Sequence, residues 1–129
     1  MTEPTSAAAA DRSLEELVEE WLSIPDVAER LGVRLSDVRR MLADRLLLSH
    51  RVGERQVLAV PAAFIDAEGV LASLEGTLTV LADSGLNDEE ALRWLFTVDE
   101  SLPLGGTPVD NLRGGRKTEI RRRAMELAL

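Results

Sequence analysis

Hydrophobic positions along this chain fall into blocks whose spacing changes from helical to alternating and back. In "SLEELVEEWL" Leu14, Leu17, Val18 and Trp21 recur at i, i+3, i+4 and i+7, the stripe of an amphipathic helix. Ser13, with Glu16 three residues on, makes a capping-box signature before it. "SIPDVAERLG" repeats the arrangement. Ile24, Val27, Ala28 and Leu31 form its inner stripe, Ser23 its cap, Pro25 its first turn and Gly32 its end. "VRLSDVRRMLAD" then places Leu35, Val38 and Leu42 on one face, with Met41 beside them. Two short helices around a turn at Gly32 are a helix-turn-helix pattern.

The pattern then turns β-like. "LLLSHRV" and "QVLAV" read as strands flanking "GER" at 53–55, a hairpin signal, and Pro61 ends the second run. Helix, turn, helix and hairpin, in that order, describe a winged helix-turn-helix with the hairpin as wing. From about residue 66 the helical pattern returns. "EGTLTVLADSG" and "NDEEALRWLF" read as two helices; Gly85 ends the first, and Asn87 caps the second with Glu90 reaching back. "TVDESLPLGGTPVDNL" is a long connection with one helical turn starting at Thr107-Pro108. "RKTEIRRRAMELAL" is a last helix with Ile120, Ala124 and Leu127 on one face.

The fold expected is mainly α with a small β-hairpin wing. Residues 1–12 read as a disordered tail without apolar periodicity. A winged helix-turn-helix with a leading helix covers 13–66, and a helical C-terminal domain covers 67–129.

Composition narrows the chemistry. The 129 residues are 45% hydrophobic but only 3% aromatic, so the core must be aliphatic. There is no cysteine, which excludes disulfides, cysteine-based zinc sites and thiol catalysis. No apolar stretch approaches the roughly 18–20 residues of a membrane span. "MTEPTSAAAADR" lacks the basic and long apolar regions of a signal peptide. A cytoplasmic protein without membrane contact is expected.

Charge is distributed unevenly. Residues 1–23 carry −5, residues 24–65 carry +2, residues 66–112 carry −9 and residues 113–129 carry +4, within a net charge of −8. Seven of the fifteen basic residues are arginines between Arg30 and Arg55. With Leu35, Val38 and Leu42 turned inward, Ser36, Asp37, Arg39, Arg40 and Ala43 point outward. The second helix of a helix-turn-helix enters the major groove, where arginine pairs with guanine O6 and N7. Arg34 and Ser36 at the helix start, Arg39 and Arg40 along it, and His50, Arg51 and Arg55 on the wing make a candidate surface for double-stranded DNA. The competing reading is that these arginines are solvated or paired with nearby acids. Acidity elsewhere would weaken nonspecific binding and favour approach by this one face.

Catalytic and metal chemistry find no support. His50 is the only histidine, and the usual ligand set for a metal is missing. "GGRKTE" breaks the order a phosphate loop needs, and no strand precedes it. The acids of "NDEE" suit the first turn of a helix. No Ser/His/Asp or Cys/His set can be assembled. Neither an enzyme nor a cofactor is expected. "RKTEIRRR" spreads Arg121–Arg123 around a helix, where intramolecular or dimer pairing is favoured over DNA contact.

The stretch "LSIPDVAERLGVRLSDVRRMLADRLLLSHRVGERQVLAVPAAFI" resembles the small winged helices of the MerR and excisionase group. Those domains place Ser or Thr just after the turn; Arg34 stands there in this chain, which weakens the cap or moves it to Ser36. Over roughly residues 20–129, with "RWLFTVDESL" as the most specific block, the chain resembles an actinobacterial family of winged-helix DNA-binding proteins. In mycobacteria that family includes a substrate of the Ser/Thr kinase PknL. This resemblance implies DNA binding, and it raises a Ser/Thr kinase as a partner and Thr2, Thr5 and Ser6 as phosphorylation candidates. "ALRWLFTVDESLPLGGTPVDNL" is also similar to the toxin-binding domain of Xre/MbcA/ParS-type antitoxins. That likeness implies a protein partner met by Trp94, Thr107 and Asp110. On the residues alone, Trp94 and Leu95 anchor a helix in the core and Thr107 caps a turn.

Two functions are carried forward. The first is a non-catalytic DNA-binding protein, a transcriptional regulator or nucleoid-associated factor. The alternative is a protein-interaction module, antitoxin-like or scaffolding, acting through its C-terminal helices. The oligomeric state stays open.

Overall fold

The computed structural model describes residues 13–128. The tail over 1–12, with Thr2, Thr5 and Ser6, lies outside the described residues. Among those described, seven helices and five short strands follow one another: α1 (Leu14–Leu17), β1 (Trp21–Ser23), α2 (Ile24–Leu31), α3 (Leu35–Ala43), β2 (His50–Val52), β3 (Val57–Pro61), β4 (Ile65–Asp66), β5 (Gly69–Val70), α4 (Leu74–Asp83), α5 (Asp88–Leu95), α6 (Pro108–Arg113) and α7 (Lys117–Glu126). A single 3-10 turn, Ala62–Phe64, joins β3 to β4.

The helix-turn-helix forms as its caps require. The Ser23 hydroxyl accepts the Asp26 N–H at 3.3 Å, and Gly32 closes α2 with φ +68°, a conformation glycine adopts without steric cost. α2 buries Ile24, Val27 and Ala28. α3 fully buries only Val38; Met41 and Leu42 are partly buried. Leu35, expected on the inner face, is the first residue of α3 and is 42% exposed.

The expected leading helix is much shorter than its apolar stripe. α1 ends after one turn, Val18 is extended at φ −91° and ψ 119°, and Trp21–Ser23 become a strand. β1 pairs antiparallel with β3 through Trp21–Pro61, Leu22–Val60 and Ser23–Ala59, and β3 pairs with β2 on its other side. The wing is therefore a three-stranded sheet in the order β1-β3-β2, not an isolated hairpin. A two-stranded hairpin alone is marginal in water; a third strand with Leu22 and Val60 buried gives it a hydrophobic face. The first β-run is also shorter than "LLLSHRV": Leu47 and Leu48 are buried outside any strand, and β2 starts at His50. A second hairpin, β4 with β5, was not expected.

Beyond Val70 the expected helices form. Asn87 and Glu90 make a reciprocal capping pair at α5, and Thr107 and Asp110 make another at α6. α7 buries Ile120 and Ala124, whereas Leu127, expected on the same face, is 41% exposed beyond the helix end. One buried cluster runs from Leu14 to Ala124, so the two halves share a core. The Phe64 and Phe96 rings meet across them at 5.6 Å. Arg113 of α6 donates to the carbonyls of Ala63 and Ile65, at 2.5 and 3.3 Å. Arg45 after α3 pairs with Asp88 of α5 at 2.7 Å. No helix among the described residues is long and apolar enough to cross a membrane.

Candidate nucleic-acid interface

The outer side of α3 is built by default. Once Val38 is fixed in the core, helical geometry turns Ser36, Arg39, Arg40 and Ala43 to solvent, and all four are exposed. Neither the Arg39 nor the Arg40 guanidinium makes a hydrogen bond or ion pair among the described residues.

Arg34 occupies the N-cap position of α3 with β-region angles. An arginine side chain carries no acceptor, so it cannot cap the helix itself. Asp37 supplies the other arm: its carboxylate accepts the Arg34 backbone N–H at 2.9 Å, and the guanidinium lies 3.3 Å from the same oxygen. The cap has not moved to Ser36. That backbone hydrogen bond, followed by the guanidinium bond, holds the Asp37 carboxyl below its ordinary range. Arg34 remains exposed, but as half of an ion pair.

The wing tip is a four-residue turn between Val52 and Val57. Gly53 and Gln56 both have positive φ, at +74° and +52°. Gln56 meets this cost with its side chain, which donates to the Gly53 carbonyl at 2.9 Å, while its own carbonyl accepts from Arg51 at 3.1 Å. Arg51 is thus exposed but tied to the tip. Arg55, at the tip, makes no hydrogen bond or ion pair among the described residues. His50 is half-buried, its ring 5.9 Å from that of Trp21.

The seven arginines between 30 and 55 therefore divide. Arg30, Arg34 and Arg45 face Glu20, Asp37 and Asp88 at 3.6, 3.3 and 2.7 Å. Arg51 binds a carbonyl. Arg39, Arg40 and Arg55 are unpaired among the described residues. At the other end of the chain the three arginines of α7 are engaged internally. Arg121 donates to the Ser73 carbonyl, Arg122 pairs with Glu119 and Glu126, and Arg123 binds Glu119 and Ser101. Arg122 and Arg123 together draw the Glu119 carboxyl down to about 2. Among the described residues the cations left without a hydrogen bond or ion pair are Arg39, Arg40, Arg55, Arg116 and Lys117.

The candidate partner-binding residues are not gathered in one place. Trp94 is half-buried beside a groove of about 650 Å³ with Val98, Leu102, Pro108 and Leu127. Thr107 and Asp110 cap α6 and line a different cleft of about 580 Å³, between the two halves, with Leu17, Ile65 and Phe96. No group of three or more His, Asp or Glu side chains is arranged to hold a metal among the described residues. Two tip features had no sequence signal: the brackets made by Gln56, and the hydrogen bond from the Gly53 N–H to the carboxylate of Glu15 in α1.

Comparison with known proteins follows the same division. Residues 8–65 match the family model described as "DNA-binding protein Rv2175c, wHTH domain", and residues 71–128 match "Rv2175c C-terminal domain of unknown function". The DNA-binding protein Rv2175c of Mycobacterium tuberculosis is 37% identical over 118 residues, covering 81% of this chain and 78% of that protein. The NMR structure of Rv2175c matches with a TM-score of 0.78 at 35% identity, over 86% of this chain and 82% of that one.

Proposed function

From the premise that the chain belongs to the Rv2175c family of winged helix-turn-helix proteins, we propose that it is a non-catalytic protein that binds double-stranded DNA with α3 and the wing. The observation that carries this reading is the set of unpaired arginines. Among the described residues most cations hold a hydrogen bond or ion pair, yet Arg39 and Arg40 on the outer side of α3 and Arg55 at the wing tip hold neither, and the same is true of Arg116 and Lys117 at the start of α7.

The roles follow from geometry. In a helix-turn-helix the second helix lies in the major groove with its N-terminal residues nearest the base edges; Ser36 lies in that first turn of α3, and Arg39 and Arg40 follow at its middle. Arg39 and Arg40 are the base-reading pair, through bidentate contact with guanine. Ser36, one turn before Arg40, supplies a smaller polar contact. Arg55 and Arg51 address phosphates from the wing, which fixes register without reading sequence. Arg34, bound to Asp37, contributes less, and His50, against Trp21, supports the wing more than it touches DNA. A role in regulating transcription is consistent with such a protein. A protein partner for the C-terminal half is a second activity, supported by the groove beside Trp94, where Val98, Leu102, Pro108 and Leu127 stand among charged residues.

The test is titration of the protein with duplex DNA across a salt series. Binding that weakens linearly in log salt, with backbone NMR shifts concentrated in 35–43 and 50–57, supports the reading. Well-folded protein that leaves low-salt DNA unbound overturns it.

A further inference from the structure

We propose that Glu15, an acid on the leading helix, is a positioning residue that holds the wing tip in its DNA-binding geometry. The inference rests on the DNA-binding reading and goes beyond it by assigning a role to α1.

The geometry is a chain of contacts. The Glu15 carboxylate accepts the backbone N–H of Gly53, the first residue of the tip. The Glu15 carbonyl accepts the indole N–H of Trp21 at 3.2 Å. Trp21 belongs to β1, paired with β3, and its ring stands 5.9 Å from His50 on β2. One residue of α1 is thereby fixed to the base of the wing through its backbone and to the tip through its side chain. α1 buries Leu14 in the shared core, so the anchor point is itself packed against the fold.

Charge makes the contact informative. An exposed carboxylate that shares a surface cleft with Arg51 opposes a phosphate backbone. Glu15 therefore serves binding only if holding the tip is worth more than the repulsion. Gln56 closes the turn on itself, and Glu15 ties that turn to α1: Gly53 and Gln56 have positive φ, and Arg55 projects from between them. An unbraced turn would have to order on binding, at a cost in affinity.

Acceptor and charge can be separated by substitution. Glu15→Gln keeps an acceptor oxygen and removes the charge. Glu15→Asp keeps the charge and draws the oxygen back by one methylene. Glu15→Ala removes both. Positioning predicts that Glu15→Gln binds DNA at least as tightly as the unaltered chain. Glu15→Asp and Glu15→Ala bind about three- to tenfold more weakly, with a salt slope smaller by about one charge. In both, the Gly53 amide exchanges faster in free protein. A charge effect alone predicts the reverse order: Glu15→Ala and Glu15→Gln both tighter, and Glu15→Asp unchanged. That order, or unaltered Gly53 exchange in Glu15→Asp, overturns the proposal. Glu15→Asp keeps an acid in the first turn of α1, so it tests the brace even if Glu15→Ala does not fold. If the unaltered chain leaves DNA unbound, the DNA-binding reading fails and the role of Glu15 with it; Gly53 exchange in the same variants then shows whether the contact itself exists.

Discussion

The Asp37 carboxylate accepts the Arg34 backbone N–H at 2.9 Å while the Arg34 guanidinium closes on it at 3.3 Å. The start of α3 is thus secured from its third residue rather than from its cap position. This matters because the first turn of α3 presents Ser36 and precedes Arg39. The folded chain holds Asp37 below its ordinary 3.8, chiefly through the Arg34 backbone bond. Its contribution to stability is present above that ordinary value and is lost as pH falls through the lower folded one. Asp37→Ala lowers the thermal midpoint by about 2–5 °C at neutral pH, and the difference from the unaltered chain closes in acid. Melts followed by circular dichroism from pH 7 to pH 3 measure both.

Glu119 answers to the same rule over a wider span. Arg122 and Arg123 hold it at about 2, against an ordinary 4.5. Stability from this cluster is full above 4.5 and drains away as pH falls toward 2. Glu119→Gln flattens the stability–pH curve in that window. At neutral pH it changes the midpoint only modestly, since exposed ion pairs contribute little. A pH series of urea unfolding curves reads the change in slope.

Asn111 carries the long Pro/Gly connection. It is fully buried, donates to the carbonyls of Gly105 and Thr107 at 2.8 and 2.9 Å, and accepts the Leu104 N–H at 3.0 Å. Asn111→Ala strands these backbone groups and costs about 2–3 kcal/mol in urea unfolding. Winged-domain binding to DNA should survive this change wherever the variant is folded.

Much of this architecture was legible where the information is local. Ser23, Pro25 and Gly32 mark the ends of α2, and Asn87–Glu90 and Thr107–Asp110 mark the starts of α5 and α6, because caps act over three or four residues. β1 was hidden because Leu14, Val18 and Trp21 fit a long helix as well as they fit one turn followed by a strand. Pairing with Val60, thirty-eight residues after Leu22, decides between them, and no local pattern reports that. Leu35 fits the inner stripe of α3 by spacing yet is 42% exposed at the helix start. The exposed character of Arg39 and Arg40 followed from periodicity. Their lack of an ion pair did not, since it depends on where distant acids fall: Asp88 meets Arg45, forty-three residues away, whereas among the described residues no carboxylate comes within ion-pair distance of Arg39 or Arg40, and Asp37 acts on Arg40 only through its field.

The central claim is that DNA is read by the unpaired arginines of α3, not drawn by any unpaired cation. The direct test compares two variants that remove the same charge: Arg39→Ala/Arg40→Ala on α3, and Arg116→Ala/Lys117→Ala at the start of α7, where both cations are equally unpaired. Duplex DNA affinity is measured at one fixed salt concentration. The α3 variant loses at least about thirtyfold and the α7 variant less than about threefold. Equal losses in the two, or an α3 variant that binds like the unaltered chain, would contradict that claim.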